Sequence, residues 1–497
     1  MAAGWYWNGN KKSPRNGAKK MTTMNQGSII GDQAQKYSGL LQQTHTLRFD
    51  DRLKKGKALR ESAPRKSHAE WNAPANRPDP IDLLIENSQG RIENLIPIRY
   101  GRMAASPFAF YRGAAAIMAS DLSSTPTTGL NIVICGDCHL LNFGGFATAE
   151  RRLIFDINDF DEVSIAPWEW DLKRLTASFV IAGRANRMKE GDSRQAALLA
   201  AQSYRLHMAD HANMPVLQAW YEALDLNEII SNIQDKQNKQ FYTKKLQQAA
   251  EKGAHEKEFA KLTFVAGDLP RIIDQPPLIF HTNDIRDEEH RANIEQSIFD
   301  YLSSLSPEKR VLLSRYEVVD AALKVVGVGS VGTYCGIALF MSGNGDPLFL
   351  QFKQARQSVL EPYAGTTPYQ HAGQRVVVGQ RVMQAASDMF LGWYTGTGEI
   401  HAHFYVRQLR DAKIKPVVEI MGTDELKNYA NLCGRALARA HARTADAAVL
   451  TGYMGKSTSF EEALADFSVA YANQNELDHA SLLEAIRAGR IDANMDQ

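Results

Sequence analysis

Gly136-Asp137-Cys138-His139-Leu140-Leu141-Asn142, followed by Asp156-Ile157-Asn158-Asp159-Phe160-Asp161, decides how the rest of the chain is read. Each polar signature follows an apolar run, Asn131 to Ile134 in the first case and Leu153 to Phe155 in the second, so each is expected where a buried strand ends. Asp137 and Asn142 stand at the D-x-x-x-x-N offset, in which the Asp meets a hydroxyl proton and the Asn holds a metal during phosphoryl transfer. Asp159 is then the expected metal-binding Asp of a D-F-G-like segment, written here as D-F-D.

Composition narrows the partners. At 497 residues with 44% hydrophobic and 23% charged residues, the chain can bury a sizeable core in more than one domain. Lys and Arg total 57 against 56 for Asp and Glu, so no global field favours nucleic acid, an anionic membrane or an acidic partner. Any anion site must be local, and neither nucleic acid nor membrane is expected as a partner. Cys135, Cys138, Cys335 and Cys433 are too few for a disulfide scaffold and suit a reducing cytosol. Met1 to Asn16 shows no apolar secretory core, which makes a cytoplasmic location the expectation. The apolar run Val325 to Met341 approaches a membrane span in length, but its glycines and the turn Ser342 to Pro347 point to a β-hairpin.

Working outward, residues 1–78 read as a mobile N-terminal arm with the basic cluster Arg52, Lys54, Lys55, Lys57, Arg60, Arg65 and Lys66, either a solvated tail or a docking segment for an acidic partner. Residues 79–315 read as a helical lobe carrying both signatures. Asp79-Pro80 and Ser106-Pro107 are helix starts, and Arg99, Arg102 and Arg112 near them could bind phosphate or carboxylate, or pair with neighbouring acids. Asp171, in Trp168 to Leu172, lies at a helix start where it can cap backbone amides. Asp284, Asp287, Glu288, Glu289 and His290 look like metal ligands on paper, but a solvated charged turn is the expectation.

Residues 316–415 read as a β-rich lobe. Apolar strands flank Gly327-Val328-Gly329-Ser330-Val331-Gly332, and no helix pattern follows the glycines, which argues against a dinucleotide-binding turn and for a β-loop whose amides approach an anion. Lys353 ends the alternating strand Leu348, Leu350, Phe352, as a phosphate-binding lysine of the V-A-I-K type does. Gln370 to Asp388 reads as a helix and His403 to Leu409 as a strand. Residues 416–497 return to helix, with Leu426 to Thr444 ending in Leu437-Ala438-Arg439-Ala440-His441-Ala442, where His441 is expected as a packed core residue.

Together these segments resemble the parts of a protein-kinase-like or aminoglycoside-phosphotransferase-like fold in rotated order. The catalytic-loop and D-F-G counterparts come before the Gly-rich loop, and the L-A-R-A-H-A helix that should lead into the catalytic loop comes near the end. The expectation is therefore an α+β, two-lobed, circularly permuted kinase-like fold whose helical lobe is larger than its antiparallel β lobe. From about Arg48 the chain also resembles an uncharacterised bacterial family, domain of unknown function 2252. That resemblance rests on Arg102-Met103 with Ser106-Pro107-Phe108, Cys135 to Gly144, Asp156 to Glu162, Trp168 to Arg174 and Arg407 to Asp411.

The kinase-like resemblance implies ATP and Mg²⁺ as cofactors and an unknown small-molecule or protein hydroxyl as acceptor. Asp137, with His139 beside it, is the catalytic candidate; Asn142, Asp159 and Asp161 are the metal candidates. Gly327, Gly329, Ser330, Gly332 and Lys353 are expected on the nucleotide phosphates. The glutamate that should pair with the lysine is missing from Gln370 to Asp388, and Glu361, just before Pro362, is the nearest substitute. This departure keeps two alternatives open, a nucleotide-binding pseudokinase acting as a regulator and a nucleotidyl (AMP) transferase. Cys135 to His139 also matches the haem-attachment pattern C-x-x-C-H and a C-x-x-C redox pair, which the missing export signal and the D-x-x-x-x-N register argue against.

Overall fold

In a computed structural model of the chain, which describes residues 47–495 apart from 234, 251–258, 267–268, 283–286, 326, 398–399 and 410–413, the runs before the two signatures are short buried strands. β1 (Asn131–Ile134) pairs antiparallel with β4 (Ser164–Pro167), and β2 (Phe143–Ala147), β3 (Leu153–Ile157) and β5 (Leu224–Asp225) form a second small sheet. The principal helices are α1 (Phe49–Ala58), α2 (Pro80–Ser88), α3 (Ile96–Ala104), α4 (Pro107–Gly113), α5 (Trp168–Ala185), α6 (Glu190–Asn213), α7 (Glu288–Ser303), α8 (Ala372–Met383), α9 (Thr423–Ala442), α10 (Ala447–Met454) and α11 (Ser459–Arg487). Asp79 and Ser106 cap α2 and α4 as expected, accepting from the amides of Ile81 at 2.7 Å and Ala109 at 3.1 Å.

The small sheets and α5, α6, α9, α10 and α11 share one core, in which Trp168, Leu172, Phe179, Tyr204, Leu437 and Phe460 are fully buried. Each large apolar side chain removed from water there contributes about 2 kcal/mol. Ser459 to Arg487 forms one continuous helix, α11.

The second body is a six-stranded antiparallel sheet. β9 (Tyr316–Lys324), β10 (Cys335–Ser342) and β11 (Pro347–Gln354) follow in sequence, and after α8 come β12 (Gly392–Thr395) and β13 (His403–Gln408). The order is β12-β13-β11-β10-β9-β8, with β8 (Ile279–Phe280) on the far edge, while β6 (Thr263–Ala266) and β7 (Leu269–Ile272) pair in a sheet of their own. The last strand is thus inserted beside β11. Strand period sets the faces: Leu348 and Leu350 pack with Tyr301 and Leu305 of the α7 region, while Phe349, Gln351 and Lys353 point to the other side.

Two expected boundaries move. The helical lobe does not run to residue 315, because β8 pairs with β9 and Tyr301, Leu305 and Leu313 pack on Phe340, Leu348 and Phe390, making this stretch part of the β lobe. Residues 47–78 are not a mobile arm either. Arg52 pairs with Asp446 at 3.2 Å, Arg60 donates to the carbonyl of Gly452 at 2.6 Å, and the buried His68 bonds Tyr453 at 2.6 Å. α1 and α10 approach so closely that a Cβ on Gly56 would lie 1.9 Å from the Val449 carbonyl oxygen. The rest of the expected arm lies outside the described residues, as does Asp284 of the acidic run. Among the described residues, no helix is long and apolar enough to cross a membrane.

Candidate active site

The segment after β1 is fixed from below by one carboxylate. Asp171, in the first turn of α5, accepts from the amides of Cys135 at 2.8 Å and Gly136 at 2.9 Å, and meets His441 Nε2 at 3.2 Å. His441 Nδ1 in turn bonds Tyr204, so the end of α9 is tied to the start of this loop. Gly136 is required here: its φ is +79°, and a Cβ would come within 2.3 Å of the Glu162 carbonyl oxygen. Asp137 is held by Arg174 of α5 through Nε at 2.7 Å and Nη2 at 2.5 Å. Asn142 donates through Nδ2 to the Asp137 carbonyl at 2.6 Å, which leaves its amide oxygen for another donor or a cation. His139 is buried with Nε2 3.9 Å from Asp137, and burial brings its pKa down to about 3, so the ring is neutral.

The aspartates that follow divide into different uses. Asp156 is buried structure, bonded to Arg439 at 2.6 Å and to the amide of Ala385 at 2.9 Å. Among the described residues Asp159 accepts one long bond, 3.3 Å, from the Asp161 amide. Burial and the neighbouring Asp161 charge raise its pKa, with Lys353 and Arg407 opposing them. Asp161, expected on a second metal, is instead the partner of Lys353. Its carboxylate takes Lys353 Nζ at 2.5 Å, the Tyr405 hydroxyl at 2.5 Å and Ser330 Oγ at 3.1 Å. Although burial works the other way, Lys353 and these hydrogen bonds bring the Asp161 pKa down to about 2. With its oxygens taken up in this way, Asp161 is poorly placed to hold a cation.

Glu361 does not meet Lys353. Its carboxylate accepts from Gln357 at 2.9 Å and the Ser358 amide at 3.3 Å, and lies 4.0 Å from Arg375. The proline after Glu361 and the short helical turn it opens hold this carboxylate close to its own segment. Arg375, on α8, donates to the carbonyls of Asp161 and Arg356 at 2.8 Å each, so this helix brings a cation to the D-F-D segment where a glutamate is expected.

The Gly-rich loop lies over the same place. Arg91 donates to the carbonyls of Gly329 at 2.8 Å and Val331 at 2.7 Å, Arg102 to Gly327 at 2.7 Å, and the Ile92 amide to Gly332 at 2.7 Å. Among the described residues, the amides of Gly329, Ser330 and Gly332 have no acceptor within the chain. Arg91 is absent from the sequence reading because nothing local marks a residue that clamps a loop more than two hundred positions away.

Between the two bodies runs a cleft of about 1250 Å³ whose walls include Asn158, Asp159, Gly327, Ser330, Lys353 and Arg407. Arg407 is a second residue missed as a functional candidate. It stands opposite Gln351 across β11 and β13, donates to the Gln351 side chain at 3.0 Å, and faces the cleft beside Asp159. The three N-terminal arginines separate: Arg99 is buried on Ser88, Asn87 and the Gly113 carbonyl, Arg102 holds the Gly-rich loop, and Arg112 donates to no acceptor among the described residues.

The haem and redox readings of Cys135 to His139 find no room. Both thiols are buried in the main core, and burial raises Cys138 to about 11 and Cys135 well above the ordinary thiol value. Cys135, Cys138 and Asp171 place ligand atoms within 4.8 Å of one another, but Asp171 is already committed to two amides and His441.

These features define an α+β protein whose helical body and antiparallel sheet enclose an acidic segment, a buried lysine and a glycine-rich loop in one cleft. A family model described as an uncharacterized protein conserved in bacteria, domain of unknown function 2252, matches residues 91–485, and the chain belongs to that family. No curated protein and no solved structure matches the chain.

Proposed function

We propose that the chain is an ATP- and Mg²⁺-dependent phosphotransferase of circularly permuted kinase-like fold, acting on a hydroxyl acceptor. The observation that carries this reading is the convergence of Lys353, Ser330 of the Gly-rich loop and the Asp159–Asp161 segment in one cleft, from positions 169 to 192 residues apart. The sheet supports it, with a Gly-rich turn between β9 and β10, the lysine on β11, a helix next, and β13 inserted between β11 and β12. So does the link from His441 through Asp171 to the loop amides, which sets the end of α9 where a kinase-like chain would continue into its catalytic loop.

Asp159 and the Asn142 amide oxygen are hard oxygen donors with little else to bind, which suits Mg²⁺. Bound there, the ion would neutralise charge on the nucleotide phosphates. Asp137, oriented by Arg174, is placed to accept the proton of the acceptor hydroxyl. Lys353, Arg407 and the amides of Gly329, Ser330 and Gly332 supply positive charge and donors to the phosphates. A second reading, nucleotide binding without turnover or transfer of AMP, draws on one observation: Lys353 is held by Asp161, and α8 carries Arg375 in place of a glutamate.

The test incubates the protein with Mg²⁺ and ATP labelled separately at the α and γ positions, beside Asp137→Ala and Asp159→Ala. The expected result is γ label on a product or on the protein, reduced on the order of a thousandfold in both variants. Label from α would establish AMP transfer, binding without either a regulator, and failure of the wild type to bind ATP would overturn all three readings.

A further inference from the structure

The start of α8 is capped by two histidines. His371, the residue before the helix, accepts through Nδ1 from the amide of Gln374 at 3.2 Å. His403, at the start of β13, accepts through Nδ1 from the amide of Ala372 at 3.1 Å. The two rings stack, with centroids 3.9 Å apart and 26° between their planes. Two amides that a helix start leaves without an intrahelical acceptor are thus satisfied by imidazole nitrogens, where Ser, Thr, Asp or Asn is the usual choice. The packing leaves little room to adjust: a Cβ on Gly373, between the two capped residues, would lie 2.2 Å from the Phe404 carbonyl oxygen and 2.9 Å from Cε1 of His371.

An imidazole nitrogen accepts only when it carries no proton. Each of these bonds therefore puts the proton of the neutral ring on Nε2 and leaves Nδ1 as the place for a second one. That second proton turns an acceptor into a donor facing another donor. It also sets a positive charge at the positive end of the helix dipole, against a ring that titrates in the same way. The surroundings do not offset this. Among the described residues neither ring is paired with a carboxylate: β12 offers the Tyr394 carbonyl to His371, the segment before β13 sets His401 beside His403, and α8 brings Arg375. Burial, then His403, lower the pKa of His371 from 6.5 to about 4, against the Tyr394 carbonyl; burial, then His401, lower that of His403. Because the folded value of His371 lies below the ordinary one, its cap is complete above about pH 6.5 and is lost as pH falls toward 4.

The same first turn reaches the D-F-D segment. Arg375 donates to the carbonyls of Asp161, Val163 and Arg356. We propose that the His371–His403 pair is an acid-sensitive catch on α8: proton uptake at Nδ1 removes the caps, frays the start of the helix and loosens the hold of Arg375 on the D-F-D segment. The catch does not rest on the phosphotransferase reading.

The experiment follows hydrogen exchange by mass spectrometry on the full chain, without nucleotide or metal, from about pH 7.5 to about pH 4, corrected for the intrinsic pH dependence of exchange. In parallel, the ring nitrogens of ¹⁵N-histidine-labelled protein are followed by NMR. In wild type, Nδ1 of both rings is expected without a proton at neutral pH, and residues 371–376 to lose roughly tenfold or more in protection as the rings titrate, while α5 keeps its own. The double variant His371→Asn/His403→Gln retains side-chain oxygens as acceptors but does not titrate, and is expected to hold its protection across the range. A proton on Nδ1 of either ring at neutral pH overturns the proposal. So does unchanged protection while the rings titrate, an equal loss in wild type and double variant, or an equal loss in α5. Should the double variant be unprotected even at neutral pH, wild type decides alone: loss of protection must coincide with the ring titration, and a separation of the two overturns the catch.

Discussion

Two loops of the candidate site, residues 135–142 and residues 327–333, are anchored with opposite polarity. The loop of residues 135–142 is held by its amides, which donate to the carboxylate of Asp171. The loop of residues 327–333 is held by its carbonyls, which accept from Arg91 and Arg102. A carboxylate anchor beneath a loop leaves an acid, Asp137, to project from the other side, whereas arginine anchors leave backbone N–H groups as the surplus. One wall is thereby suited to a cation or a hydroxyl proton and the other to an anion. The difference is built from which end of the peptide dipole is consumed.

Changing the anchors should break this contrast in a graded way. The largest effect is expected from Asp171→Asn, which turns an acceptor for two buried amides and a histidine into a group with one oxygen. A loss of about 3 kcal/mol is expected in a denaturant titration, and near wild-type stability would show that the loop does not depend on this carboxylate.

Acid should act next. The Asp161 carboxyl has a folded pKa of about 2, below its unfolded value of about 3.9, so its contribution is complete above that value and lost as pH falls toward 2. In metal-free buffer, wild type is expected to lose about 2 kcal/mol over this window, with a shallower acid limb in Asp161→Asn. Identical limbs would mean that the Lys353 pair does not join the walls.

The smallest effect belongs to the other anchor. Arg91→Gln removes two carbonyl bonds from the loop between β9 and β10, and about 1 kcal/mol of stability is expected to go with them. On the proposed phosphotransferase reading, affinity for ATP should also fall roughly tenfold, because the amides of this loop lose their fixed direction. Weaker binding without a stability change would sharpen the contrast, and the reverse would break it.

Much of the helical-body wall was legible in the sequence, because each part of it is local. Asp137 and Asn142 sit in one loop, Asp171 at one helix start, and the apolar runs before them are strands four or five residues long. The β-lobe wall was legible only in its strands, its turn and Lys353. What pairs with Lys353 is 192 residues away, and no local pattern marks Asp161 as that partner in preference to Glu361. Arg91 and Arg407 were passed over for the same reason: an arginine's role is set by what it meets, and both meet groups from remote segments. The misplaced boundary near residue 315 has another cause. β8 has two residues, too short to show a period, and α7 looks the same whether its apolar side covers a helix or a sheet.

The contact of α1 with α10 ties the described start of the chain to its last fifth, with Arg52 and Asp446 separated by 394 residues. On the ribosome, α1 emerges early and waits for its seat until the chain has been made nearly to its end. At about 5–20 residues per second that interval lasts tens of seconds, during which the side of α1 that packs on α10 lacks its cover. Any interruption of synthesis before residue 446 therefore leaves a product that cannot make this clasp.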